Sequence, residues 1–207
     1  MRHNFCNFAH IITIIVAHAN FNHNKMKIKL IILTAILGSM LISCNLEGES
    51  NYTPMLYFVT EPKLQNGDTL SIYRTDKLDV FRLDTISVGD TVSFYMYATG
   101  YSNNLTAYYM KQSSDSAAGI ILPRQSSMDS VFTAESDYKT GKFIMGANST
   151  SLYFPFKYVA KKAEKNAKIT FTIISDAQFT DMTIGSNTTS FELITPIALK
   201  PDTTDTE

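Results

Sequence analysis

The chain is expected to fold as an all-β sandwich, and three features of its 207 residues predict it. Apolar residues recur with a period of two rather than that of a helix along most of the chain beyond Asn51. Short runs rich in β-branched and aromatic residues are separated by Asp, Asn, Gly and Ser turns. Only Lys161–Lys168 (KKAEKNAK) has helical composition, and so short a charged stretch reads as a solvated loop joining two strands. No internal repeat marks a propeller or solenoid.

Taken in order, the first strand candidates are Met55–Val59, Thr69–Tyr73 and Leu78–Leu83. Asp90–Thr99 (DTVSFYMYAT) alternates most cleanly, with Val92, Phe94, Met96 and Ala98 on one side and Ser93, Tyr95, Tyr97 and Thr99 on the other. Asn104–Lys111 sets Leu105, Ala107 and Tyr109 against Thr106, Tyr108 and Met110. Gly119–Leu122, Ser130–Ala134, Lys142–Met145 and Leu152–Val159 follow. Lys168–Ser175 (KITFTIIS) places Ile169, Phe171 and Ile173 on one face, and Ser190–Ile194 closes the series. Residues 54–199 therefore read as one domain, residues 44–53 as a polar tether and residues 200–207 (KPDTTDTE) as a disordered tail.

Lys25, Lys27 and Lys29 precede an apolar run from Leu30 to Leu37 and small or apolar residues up to Ser43. A basic flank, a short apolar core and a small residue before the cut are the parts of a secretory signal peptide, here residues 26–43. The run is shorter than the roughly 20 apolar residues a transmembrane helix needs. Leu41-Ile42-Ser43-Cys44 resembles the lipobox of bacterial lipoproteins. That resemblance implies a diacylglyceryl group on the Cys44 sulfur, cleavage just before it, and acylation of the new amino group, with palmitate among the chains. Two or more acyl chains make an anchor stable. An uncleaved anchor helix ending at Cys44 is the alternative. Residues 1–25 contain a second apolar stretch, His10–Ala19, and read as an over-extended start upstream of Met26 or as a separate transmembrane segment.

Cleavage at this point removes all four histidines (His3, His10, His18, His23) and Cys6. Of 18 basic residues, Arg2, Lys25, Lys27 and Lys29 go too, leaving 14 against 19 acidic ones, a net charge of −5. No basic face for nucleic acid is expected from that balance. Without histidine, Ser-His-Asp and Cys-His catalysis have no base, and the usual zinc ligand sets are missing. No Gly-rich phosphate loop is found, so neither a cofactor nor a metal is called for. A glycosidase needs only two carboxylates, but Asp68, Asp84 and Asp90 each stand where Asp caps a turn. Calcium would require oxygen ligands gathered from pairs such as Asp176 with Asp181 or Asp76 with Asp79, whose spacing fits no established loop. The expectation is a protein without catalytic activity.

The turn Ser87-Val88-Gly89-Asp90 leading into TVSFYMYA, and the late strand KITFTIISDA, resemble immunoglobulin-like domains of Bacteroidota envelope lipoproteins. The resemblance implies an immunoglobulin-like antiparallel β-sandwich, anchored at the outer membrane on the cell-surface or periplasmic side, with Glu47 and Glu49 loosely similar to a surface-export signal. It also implies a binding role toward a glycan or an envelope protein, with a structural or adhesive subunit as the rival and a carboxylate-based glycoside hydrolase third.

Two residue patterns offer sites. Tyr95 and Tyr97 share the face opposite their strand's apolar stripe, and Tyr101 sits in the next turn. If the following strand pairs with theirs, Tyr108 or Tyr109 completes an aromatic platform, since tyrosine offers area and a hydroxyl at low entropic cost. The same rings would otherwise serve as cross-strand pairs that stabilise the sheet. The second pattern is Asp, hydroxyl residue, aliphatic residue, which recurs at Thr69, Thr85, Thr91, Ser116 and Ser130. It is similar to the O-glycosylation acceptor of exported Bacteroidota proteins and implies glycans at those positions; as a plain turn signal, Asp-Thr also simply starts strands.

Overall fold

The computed structural model describes residues 51–179 and 184–200. Cys44, the residues 26–43 read as a signal peptide, Asp181 and residues 201–207 lie outside the described residues. The strands in order are β1 (Met55–Phe58), β2 (Lys63–Leu64), β3 (Ile72–Arg74), β4 (Val80–Leu83), β5 (Ile86–Ser87), β6 (Thr91–Thr99) and β7 (Leu105–Gln112). They continue with β8 (Ala118–Ile121), β9 (Lys142–Ile144), β10 (Ser151–Ala160), β11 (Lys168–Ser175), β12 (Thr188–Ile194) and β13 (Ile197–Ala198). One short helix, α1 (Gln125–Asp129), sits between β8 and β9.

These strands form two packed sheets. The first runs β1-β6-β10-β8, with β2 joining β6 on the same side as β1. The second runs β3-β4-β12-β11-β7-β9, and β13 pairs β5 in a small third sheet. Period-two patterning fills the space between the two large sheets. Val92, Phe94, Met96 and Ala98 of β6 are buried as their alternation predicts, and so are Ile169, Phe171 and Ile173 of β11. Aromatic rings knit the layers: Phe58 meets Phe171 and Phe191 edge-on at 5.8 and 5.6 Å, and Phe154 meets Tyr108 at 5.1 Å. Such pairs contribute about 0.5–1.5 kcal/mol each beyond the area they bury. Most ladders are antiparallel, but β12 with β4 and β13 with β5 are parallel. Alternation along one strand carries no information on its neighbour's direction, so the sequence could not foretell these two ladders.

Most of the expected strands are present within a few residues; Ser130–Ala134 is not. There α1 ends at Asp129 in a turn, and only an isolated bridge between Phe132 and Met145 remains. Met128 and Phe132 supply the apolar spacing, both buried from a helical turn rather than a strand. Lys161–Lys168 is a loop up to the start of β11, as expected. At the other end, Asn51–Thr53 lie against the domain instead of hanging free. The Gln178 N–H donates to Asn51 Oδ1 at 3.2 Å, and the Ser186 N–H donates to Thr53 Oγ1 at 3.0 Å.

A bulge in β7 governs which of its side chains face the core. Ile174 is opposite Ala107 but Ser175 is opposite Leu105, so Thr106 is an extra residue that shifts the phase by one. Leu105 points inward before the bulge, and Tyr108 and Met110 point inward after it. Asp176 anchors this corner, its carboxylate accepting from Asn104 N at 2.8 Å and Asn104 Nδ2 at 2.9 Å.

Candidate functional site

The strand register builds an aromatic platform on the outer face of the first sheet. Along β6, burial of Val92, Phe94, Met96 and Ala98 sends Thr91, Ser93, Tyr95, Tyr97 and Thr99 outward. Tyr57 of β1 and Tyr153 of β10 both stand opposite Tyr97, one on each side. Three tyrosines therefore form a row across three strands. Tyr57 and Tyr97 approach to 5.5 Å between ring centroids, and Tyr95 stacks on Tyr153 at 6.0 Å with 28° between planes. Tyr153 is 55% exposed, Tyr57 43% and Tyr95 36%. Cross-strand pairing thus stabilises the sheet while leaving the rings of Tyr57, Tyr95 and Tyr153 exposed and that of Tyr97 half-buried between them.

Tyr101 extends the platform at one end. Its hydroxyl donates to the Met55 sulfur, and its ring packs on Tyr52 at 5.1 Å. The residue has φ +60°, a left-handed conformation costly for a bulky side chain. Its N–H donates to Thr99 Oγ1 at 3.0 Å, which holds the turn. At the other end, where β8 stops, a hollow of about 160 Å³ is lined by Ser93, Tyr95, Ile121, Pro155 and Lys157. Pro155 is tolerated mid-strand for a specific reason. Val59 N–H donates to Tyr95 O at 2.8 Å, so the backbone groups of Tyr95 face β1. The opposed Pro155 therefore turns its nitrogen away from β6, on the side where β8 pairs only from Lys157 onward.

Two of the expected platform members need correction. β6 and β7 lie in different sheets, so neither Tyr108 nor Tyr109 can join Tyr95 and Tyr97. The Thr106 bulge turns Tyr108 into the core, where it is 0% exposed and packs on Phe143 and Phe154. Its hydroxyl has no hydrogen-bond partner among the described residues, and burial pushes it far above the usual tyrosine range. Tyr158 is raised by burial too, but its hydroxyl bonds Thr195 Oγ1 at 2.8 Å, which bonds on to Ala167 O. The missing members, Tyr57 and Tyr153, lie in strands that the sequence predicts, Met55–Val59 and Leu152–Val159. Only their register against Tyr97 was lacking.

The remaining predicted positions are scattered. Thr69, Thr85, Ser116 and Ser130 are exposed and Thr91 is half-buried. Of the aspartates before them, Asp90 anchors its turn by accepting from Ser87 N at 2.8 Å, whereas Asp84 reaches across to the preceding segment and accepts from Ser71 N and Tyr73 OH at 2.7 and 2.8 Å. Among the described residues no three acidic, histidine or cysteine side chains gather as a metal site. Thr140 hydrogen bonding holds the Asp137 carboxyl below its usual range in the turn before β9. No described helix is long and apolar enough to cross a membrane.

No protein family and no curated protein matches the sequence. Among solved structures, a family 123 glycoside hydrolase from Clostridium perfringens is similar at 12% identity and a TM-score of 0.29. That alignment covers 72% of this chain and 28% of the hydrolase. AvmM, which catalyzes macrocyclization in alchivemycin A biosynthesis, is similar at 10% identity and a TM-score of 0.24, over 65% of this chain and 91% of its own. Likenesses at this level carry no argument about activity.

Proposed function

We propose that the chain is a non-catalytic binding module, held at the outer membrane through lipid on Cys44, that presents its tyrosine face to a glycan. The observation that carries the reading is the row Tyr57–Tyr97–Tyr153 with Tyr95 stacked beside it, on the outward face of one sheet of the β-sandwich. Flat, amphipathic rings on a rigid sheet suit sugar rings, which present an apolar face and hydroxyl rims. Among the outward residues of these strands there is no carboxylate pair to act on a bound sugar. A glycan-array screen of the full chain in detergent tests the reading. Binding that Tyr97→Ala and Tyr153→Ala abolish is the expected result; binding indifferent to both substitutions removes the platform.

One observation favours the rival, a structural or adhesive subunit. Among the described residues β1 pairs only with β6 and β3 only with β4, and between these edges opens a cleft of about 530 Å³ lined by Leu56, Phe58, Ile72, Phe81 and Phe191. Edge strands beside an apolar cleft accept an added strand. Concentration-dependent polymers of the purified chain would favour that rival; a monomer in detergent favours the binding module.

A further inference from the structure

We infer that the ligand of the tyrosine face is an anionic polysaccharide, one bearing carboxylate or sulfate groups along a chain of sugars. This rests on the reading of that face as a glycan platform and adds the charge of what it binds.

Register places the charges. Lys63 of β2 and Lys157 of β10 both stand opposite Ser93, one on each side of β6. Two strand spacings separate their backbones by roughly 10 Å, and Ser93 lies roughly 13 Å along β6 from Tyr97. Lys161 joins them by a different route. Gly119 stands opposite Val159 on the outward side, and a Cβ on it would fall 2.8 Å from both Cε and Nζ of Lys161. The absent side chain at Gly119 is therefore the space across which the Lys161 ammonium lies. All three lysines are exposed, and among the described residues none has an ion-pair partner.

The other half of the argument is what this face omits. The outward residues of β1, β2, β6, β8 and β10 include no Asp or Glu, in a chain with 19 acidic residues. A stacking surface runs into a basic end that holds no ion pair among the described residues, with Lys157 lining the hollow beside Tyr95 and Lys161 lining another together with Asp115. A neutral glycan would leave those ammoniums without a counter-charge. A polymer with an acidic group on successive sugars meets rings and lysines together. Anionic membrane lipid is the competing surface. It is disfavoured because the exposed rings lie paired on a sheet face with hydroxyls at their tips, rather than on an amphipathic helix or wedge that would enter the lipid.

The test uses matched pairs of polymers with the full chain in detergent: polygalacturonate against its methyl ester, and dextran sulfate against dextran. At low salt the charged member of a pair is expected to bind about tenfold tighter or more than its neutral counterpart, an advantage that shrinks as salt rises. Replacing Lys63, Lys157 and Lys161 together by Gln should remove that advantage, and Tyr97→Ala with Tyr153→Ala should remove binding altogether. Equal binding of charged and neutral members, unchanged in the lysine variant, overturns the anionic inference and leaves the platform standing. Lysine-dependent binding only to phosphatidylglycerol vesicles overturns it in favour of a lipid surface. No binding to any polymer overturns it together with the reading beneath it. Circular dichroism of each variant shows whether the fold persists.

Discussion

Removing one oxygen atom from the core should make this protein more stable. Tyr108 is fully buried, and its ring packs on Phe143 at 5.5 Å and Phe154 at 5.1 Å. Its hydroxyl has no partner among the described residues. An unsatisfied buried polar group costs about 1–3 kcal/mol, while Tyr108→Phe keeps the ring and nearly all the volume. We expect a gain of about 1–2 kcal/mol, hence a melting point higher by about 2–4 °C for each kcal/mol in a domain of this size. Urea denaturation should show a higher midpoint at unchanged slope. Alkaline pH gives a second readout. Burial raises the folded-state pKa above the unfolded value of 10.0. Below about pH 10 the hydroxyl is neutral in both states and stability does not depend on its titration; above that the unfolded state alone ionises, so stability falls as pH rises toward the folded value. Wild type should lose about 1.4 kcal/mol per pH unit more than Tyr108→Phe in that range. Tyr108→Ala, by contrast, should cost about 3–5 kcal/mol. A lower urea midpoint for Tyr108→Phe, or an alkaline slope equal to wild type, would refute the assignment of an unpartnered core hydroxyl.

Other outcomes follow from the same geometry. Tyr153→Ala removes a 55% exposed ring and its stacking on Tyr95, so calorimetry should show a loss of only about 0.5–1.5 kcal/mol while glycan binding disappears. Tyr101→Gly relieves a φ of +60° but gives up the ring contact with Tyr52. The two terms oppose each other, so stability should stay within about 1 kcal/mol by urea titration while affinity weakens. Gly141 has φ +70°, and a Cβ there would lie 1.9 Å from Met110 O. Gly141→Ala should therefore pull β9 away from β7 and cost about 2 kcal/mol or more, seen as early amide exchange in Lys142–Ile144.

Local chemistry made much of this protein legible. The alternation of DTVSFYMYAT assigned Phe94 to the core and Tyr95 and Tyr97 to solvent, because a strand's side chains must point to opposite faces in turn. Asp-Thr turns marked strand starts for the equally local reason that a short carboxylate bonds nearby N–H groups. The same local rule misled at Ser130–Ala134, where Met128 and Phe132 satisfy a helical turn within too few residues for its period to show.

The sequence alone therefore determined most of the longer strands, the core-facing stripe of each regular one and the outward direction of Tyr95 and Tyr97. Tertiary structure alone decided which tyrosines meet. One extra residue at Thr106 turned Tyr108 inward, and pairing between segments far apart in the chain set Tyr57 and Tyr153 on either side of Tyr97. A strand's alternation is fixed by its own backbone geometry, whereas its partner and register follow from how the whole set of apolar faces closes over one core. Information of that second kind is stored in no single stretch of residues.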